Sequence, residues 1–392
     1  MRERARLETL VGLRFVASLL VFLSHTVNRE VFTSSTANST LRAVFNAPSI
    51  GAVMFFFMLS GFVLTWSARE SDTVRGFLRR RVVSVYPGYA VCWVAGIGVM
   101  LLIGQAVTVS STLPGLALAN AWVPLPQVVA STNAPTWALS CELFFYLCFP
   151  WLNSLLARVR PERLWPLAGG LVALVVVAPF AGLLLPEEPQ SPWDALPWFT
   201  SWFVYALPPV RLLDFVLGMV MARIVMSGRW GGLRLGHAVG LLLAGWALTF
   251  VLPGLFAWGP PLIAPMALVI AAAAANETGG TGGRFSVLRS RLFTRMGRIS
   301  YARYLVHYLL IEVAFFLLDG RKFGAVGGLV FVVALFAVTE LTSWVLRTTV
   351  INPVNRRWMR PRAGAQAPAA ADGPERAHAS DGGAGKQQEP SA

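Results

Sequence analysis

The chain has 392 residues, of which 55% are apolar and only 13% charged, yet its formal net charge is +14. That charged share is about half the share in an ordinary soluble domain. Disorder is excluded by the hydropathy, and a soluble fold by the apolar surface it would expose. Nucleic-acid binding, the common reading of a high pI, is excluded because the arginines fall between long apolar runs. The class left is an all-α integral membrane protein.

A helix needs roughly 20 apolar residues to cross the hydrocarbon core. Ten stretches qualify, at residues 10–27, 50–67, 83–104, 136–156, 165–185, 203–222, 236–252, 255–275, 299–318 and 324–346. The first has a basic opening like a signal peptide. Arg14 interrupts it, however, and no small-x-small cleavage site follows Leu23, so it reads as a retained helix. Residues 113–123 are too short to span and carry Pro114; they read as re-entrant or interfacial. The division is a membrane domain over 1–350 and a disordered cytoplasmic tail over 361–392, rich in Ala, Gly, Pro, Ser and Gln. The odd set Cys92, Cys141 and Cys148 gives no disulfide framework. No Cys/His cluster has metal-ligand spacing, so no metal is expected.

Of the 33 basic residues, only Lys322 and Lys386 are lysines. With the N-terminus in the cytoplasm, 24 arginines fall on inner loops and ends, whereas the outer loops keep Arg29, Arg42, Arg321 and Lys322. This asymmetry predicts cytoplasmic termini in a plasma-membrane protein.

Ionisable residues inside spans cost about 2.5–3.5 kcal/mol each at a helix centre. This chain places Arg14, His25, Glu142, Arg211, Asp214, Arg303, His307, Glu312 and Glu340 there. Arg14 and His25 are eleven residues, or three turns, apart; they share a face with about 16 Å of rise between them. Glu142 begins the second turn of a helix entering from outside, at about the depth of His25. A carboxylate beside an imidazole orients a general base, although a mere interhelix tie is an equal reading. Arg211 and Asp214, three apart, suit a local ion pair. A lone His307 suits a satisfied interior residue. Arg79, Arg80 and Arg81 are either topological charges or a clamp for phosphate oxygens.

Several motifs occur in order. Arg14 precedes His25 by eleven positions. Met58-Leu59-Ser60-Gly61-Phe62 closes an aromatic helix. Trp137-Ala138-Leu139-Ser140-Cys141-Glu142 is followed by Phe145-Tyr146. Arg211 and Asp214-Phe215 precede Gly218, and Gly297-Arg298-Ile299-Ser300-Tyr301 leads to Tyr304 and His307. Together these resemble acyltransferase family 3, integral-membrane enzymes that acylate hydroxyls of sugars and related acceptors. The resemblance is to a stand-alone form, and the motifs are most similar to those of actinobacterial members that acylate macrolides. One position departs. The family's basic block ends in Arg or Lys three residues before a proline, and here Ser84 stands before Pro87.

The resemblance implies an acyl-CoA donor, acetyl-CoA being expected, and no permanently bound cofactor. The acceptor is a hydroxyl of a glycan or macrolide. His25 becomes the general base, Glu142 its orienting group, and Arg14, Arg79, Arg80 and Arg81 the donor clamp. Ser140, Tyr146, Arg211, Asp214 and His307 are supporting residues. Direct attack on the thioester and passage through an acyl-histidine both remain open. A transporter or flippase suits the physics of ten spans equally, but residues 1–185 and 203–346 show no internal similarity.

Overall fold

The computed structural model describes residues 7–69, 72–257, 259–278 and 286–358. The tail expected over 361–392 lies outside the described residues, as do Arg2, Arg4, Arg6, Arg284, Arg360 and Arg362. Ten principal helices run through the described part: α1 Glu8–Val27, α2 Ser35–Ser67, α3 Val74–Leu102, α4 Trp137–Ala157, α5 Leu164–Gly182, α6 Pro208–Met226, α7 Leu235–Leu248, α8 Pro260–Thr278, α9 Ser300–Leu318 and α10 Ala325–Leu346. No strand occurs among the described residues; Phe32↔Phe323 and Gln190↔Pro197 are isolated bridges.

Eight of these helices are long and apolar enough to cross a membrane. The other two are α6 and α7. Helix α6 carries Arg211, Asp214 and Arg223, and α7 has 14 residues, short of a full crossing.

Helix ends depart from the hydropathy boundaries for local reasons. Helix α2 begins 15 residues before the expected span, because the Ser34 side chain caps it by accepting from the Ala37 N–H. Thr73 caps α3 in the same way at Gly76, so Arg75, Arg79, Arg80 and Arg81 lie on a helix and not in a loop. Pro208 and Pro209 set the start of α6, and Trp202–Ala206 before it form a π turn.

Helix α2 is central, packing most extensively against α6 and then α1. A Cβ on Gly61 of α2 would overlap the carbonyl oxygen of Phe215, and one on Gly218 of α6 would overlap that of Met58. The two backbones therefore meet at a reciprocal glycine crossing, the small-residue contact that membrane helices favour. On α8, Ala271, Ala272, Ala273 and Ala274 are fully buried. Around the crossing, Phe145 stacks on Phe215 at 5.0 Å, and Phe57 meets Phe145 edge-on at 5.1 Å.

The expected non-spanning segment folds as a short helix Val109–Leu116, a 3-10 turn Asn120–Trp122 and a further turn Pro126–Val129. Its carbonyls accept from side chains of the bundle. Tyr86 donates to Leu116, Trp93 to Thr112, Trp198 to Pro124 and Trp202 to Ala121. Irregular backbone amid apolar helices requires this satisfaction.

At one end of the bundle, the α1–α2 and α9–α10 connections are joined. Phe323 N–H donates to Val31 and Thr33 N–H to Phe323, at 2.9 and 2.8 Å. Glu30 accepts from Lys322 and Arg42.

Candidate active site

The opposite end of the bundle opens into a chamber of about 1580 Å³. Its mouth is built from the start of α1 (Glu8), the end of α2 (Ser67, then Arg69), Arg81 on α3, Arg298 before α9, Arg347 after α10, and Asn352 and Asn355 beyond it. Arg14, Ser60, Glu142, Tyr146, Tyr301 and Tyr304 line its interior, and His307 and Val21 stand at its head.

Only one residue of the expected arginine triplet faces this space. Successive residues on a helix are rotated by about 100°, so Arg81, Ser84 and Val85 share the chamber face. Arg79 turns away to donate to the Trp358 carbonyl, and Arg80 pairs with Asp72 at 2.7 Å. Arg81 lies over the Phe77 ring, and its Nε is buried without a hydrogen-bond partner. Ser84, where the family's pattern has a cation, faces the chamber and donates to the Arg81 carbonyl.

His25 and His307 form a direct pair. His25 Nδ1 lies 2.9 Å from His307 Nε2, with the rings stacked at 5.1 Å. The other nitrogen of His307, Nδ1, meets only carbonyls, Tyr304 at 2.8 Å and Arg303 at 3.1 Å. Carbonyls only accept, so Nδ1 of His307 holds the proton. In the neutral pair His307 Nε2 is then the acceptor and His25 Nδ1 the donor. This leaves a lone pair on His25 Nε2, which has no hydrogen-bond partner among the described residues. His25 is partly exposed and lies about one turn beyond Val21, while His307 is buried.

The expected contact between His25 and Glu142 is not formed. Glu142 Oε1 instead accepts from Ser60 at 3.0 Å and from Tyr146 at 2.5 Å, one turn away on the same helix. Its Oε2 has no partner among the described residues. His25 instead pairs with His307, which sequence spacing had read as a satisfied interior residue and the family resemblance as a supporting one. The clue was its place in the same motif as Tyr304, whose carbonyl fixes the ring.

Other ionisable residues hold the scaffold. Arg303 reaches Glu340 and the Ser18 hydroxyl, donates to the Met296 carbonyl at 3.1 Å, and lies between Phe15 and Phe336. Arg29 pairs with Glu312 at 3.1 Å. Arg211 and Asp214 pair at 3.1 Å, both buried, away from the chamber. Ser140 is buried and is not part of the chamber wall, whereas Tyr146 is. Sequence reading had counted Arg69 and Arg347 only as topological charges, had quoted Arg298 and Tyr301 in a motif without giving them a role in the site, and had passed over Asn352 and Asn355. No group of three or more His, Cys, Asp or Glu among the described residues has metal-binding geometry.

The helical bundle thus encloses a cationic chamber headed by His307, which in turn meets His25. The acyltransferase domain of acyltransferase family 3 matches residues 8–348. The chain belongs to that family. It is 37% identical over 375 residues to the acyltransferase MdmB of Streptomyces mycarofaciens, covering 93% of this chain and 95% of that protein. It is 31% identical over 212 residues to the exopolysaccharide production protein ExoZ of Rhizobium meliloti (strain 1021), covering 52% of this chain and 61% of that protein. No solved structure gives a significant match.

Proposed function

We propose that this membrane acyltransferase moves an acetyl group from acyl-CoA to a hydroxyl of a sugar, glycan or macrolide-type natural product. The chain crosses the plasma membrane ten times, the short α7 completing its passage with the turn residues 249–252 that follow it, and both termini are cytoplasmic. The arginine-lined chamber headed by His307, whose Nε2 meets His25 Nδ1, is the observation that carries this reading. CoA is an anionic cytosolic molecule, and guanidinium groups suit its phosphates. Arg81, Arg69 and Arg347 hold the head group at the mouth, and Arg14 stands deeper along the same path. The uncharged pantetheine arm brings the thioester towards His307.

In the step itself, His25 Nε2 removes the proton from the acceptor hydroxyl. The oxygen attacks the thioester carbonyl, the C–S bond breaks, and the imidazolium returns the proton to the CoA sulfur. His307 holds the His25 ring in the required tautomer. Glu142, held by Ser60 and Tyr146, turns its second oxygen to substrate N–H or O–H groups. The similarity to MdmB supports a macrolide-type acceptor over a glycan.

The test is acetyl transfer by purified His25→Ala protein in detergent, with labelled acetyl-CoA and a panel of hydroxyl acceptors. A fall in kcat of about 10²–10⁴ is expected, with CoA affinity unchanged. Transfer at the wild-type rate would sink the assignment.

A further inference from the structure

Resting on the acyl-CoA reading above, we propose that the chamber holds donor and acceptor side by side. The acceptor is a hydroxyl-bearing molecule with a broad apolar face, and it enters through the same arginine-lined mouth as CoA.

Three observations lead there. The first is size. About 1580 Å³ exceeds the range of roughly 300–1,000 Å³ typical of a site for one drug-sized ligand. The second is the division of the lining. The side built from α3 and the segment after α10 is polar and cationic, with Arg81, Ser84, Arg347 and Asn355. The other is an α2 stripe of Val53, Phe56, Val63 and Trp66, broken by Ser60 and Ser67. Val63 is 41% exposed on this wall.

The third is where the stripe runs. Its members flank Ser60 and Ser67 on the chamber side of α2 and extend from the deep end to the mouth, about 20 Å. An acyl chain on the donor would need apolar surface only at the deep end, beyond the thioester. This stripe instead lies alongside the donor's route over its whole length. A phosphate-bearing head gains nothing from it, whereas a second molecule with an apolar body does. Both walls converge on Glu142 and His307. Lying together there, the ligands bring hydroxyl and thioester to one place: the acceptor oxygen–acyl bond forms, the acyl–sulfur bond breaks, and the hydroxyl proton passes by way of His25 to the CoA sulfur.

The experiment is site-directed alkylation of full-length protein in detergent with N-ethylmaleimide. Cys92 and Cys141 are buried, and a Cys148→Ser background removes the third thiol. S84C and N355C report the cationic side, and V53C and V63C the apolar side. Two positions on each side keep the comparison readable if one variant fails to fold. With CoA at about a hundred times its Kd, alkylation of S84C and N355C should slow about a hundredfold, with V53C and V63C unchanged. Erythromycin, a macrolide with free sugar hydroxyls, should then slow V53C and V63C while CoA still protects S84C.

Equal protection of all four positions by CoA would overturn the proposal, because the donor alone would fill the chamber. Protection of V53C and V63C by palmitoyl-CoA but not CoA would overturn it too, by making the stripe a donor-tail site. Displacement of CoA by erythromycin, or no protection by erythromycin, would exclude this co-occupant. If CoA protects none of the four, the donor reading itself has failed, an outcome distinct from the others.

Discussion

His307 donates through Nδ1 to two backbone carbonyls and accepts at Nε2 from His25. A side chain that still accepts at this position should preserve the tautomer of His25. His307→Gln is therefore expected to keep much of the activity, and His307→Ala to lose about a hundredfold in kcat, the scale of a misplaced reacting group. Both should leave the KM for acyl-CoA near wild type, and a pH–rate profile changed in the Ala variant but restored in the Gln variant would mark a positioning role. Among the arginines, Arg81→Gln should weaken CoA binding about tenfold or more, the loss of one charge-assisted hydrogen bond. Arg79→Gln and Arg80→Gln should not, because those side chains engage Trp358 and Asp72. Calorimetric titration with CoA would separate the three. The spacing of Arg14 and His25 was legible because helical periodicity is a property of one segment. The His25–His307 contact joins residues 282 positions apart, and nothing local to either segment encodes it.

Each helix has a boundary set by caps and an apolar stretch set by lipid, and the two need not coincide. Hydropathy located the helices but not the capped starts of α2 and α3, which Ser34 and Thr73 determine. That difference moved the arginine triplet from a loop onto a helix and so decided which member faces the chamber. The motif glycines have a packing role that neither composition nor spacing reveals. Gly218→Ala would force α6 away from Met58 and should cost about 1–3 kcal/mol, read as a lower melting temperature in detergent. The connection between α9 and α10 offers a pH test. Hydrogen bonds from Lys322, then Arg42, hold the Glu30 carboxyl below its usual range. A carboxylate lowered in the folded state contributes stability above its unfolded pKa, and the contribution fades as pH falls through the folded value. Glu30→Gln should thus lower the melting temperature at neutral pH, with the difference from wild type closing in acid.

For the whole molecule, the proposed ten-span topology gathers the arginine-rich ends on one side of the bilayer. The mouth residues Glu8, Arg69, Arg81, Arg298 and Arg347 come from five separate segments and meet at one end. In the proposed topology, alkaline phosphatase fused after Trp358 should be inactive, and fused at Gln190 active; the reverse pattern would invert the model. The helical class and the family were readable from the chain because hydropathy and motif order extend over nearly its whole length. The chamber was not, since its walls depend on how α1, α2, α3, α4 and α9 lean on one another.

The depth of that chamber has an electrical consequence. In the proposed orientation, water reaching as far as His307 carries the cytosolic potential with it, and the lining includes no residue of the joined connections at the far end. The membrane voltage then falls across the thin layer that contains His25 instead of across the full bilayer. Moving one charge through the whole drop is worth about 2.3 kcal/mol per 100 mV. A proton arriving at His25 crosses part of it. Turnover in proteoliposomes should accordingly respond to an imposed potassium-diffusion potential, while the same protein in detergent, with no voltage to feel, should not.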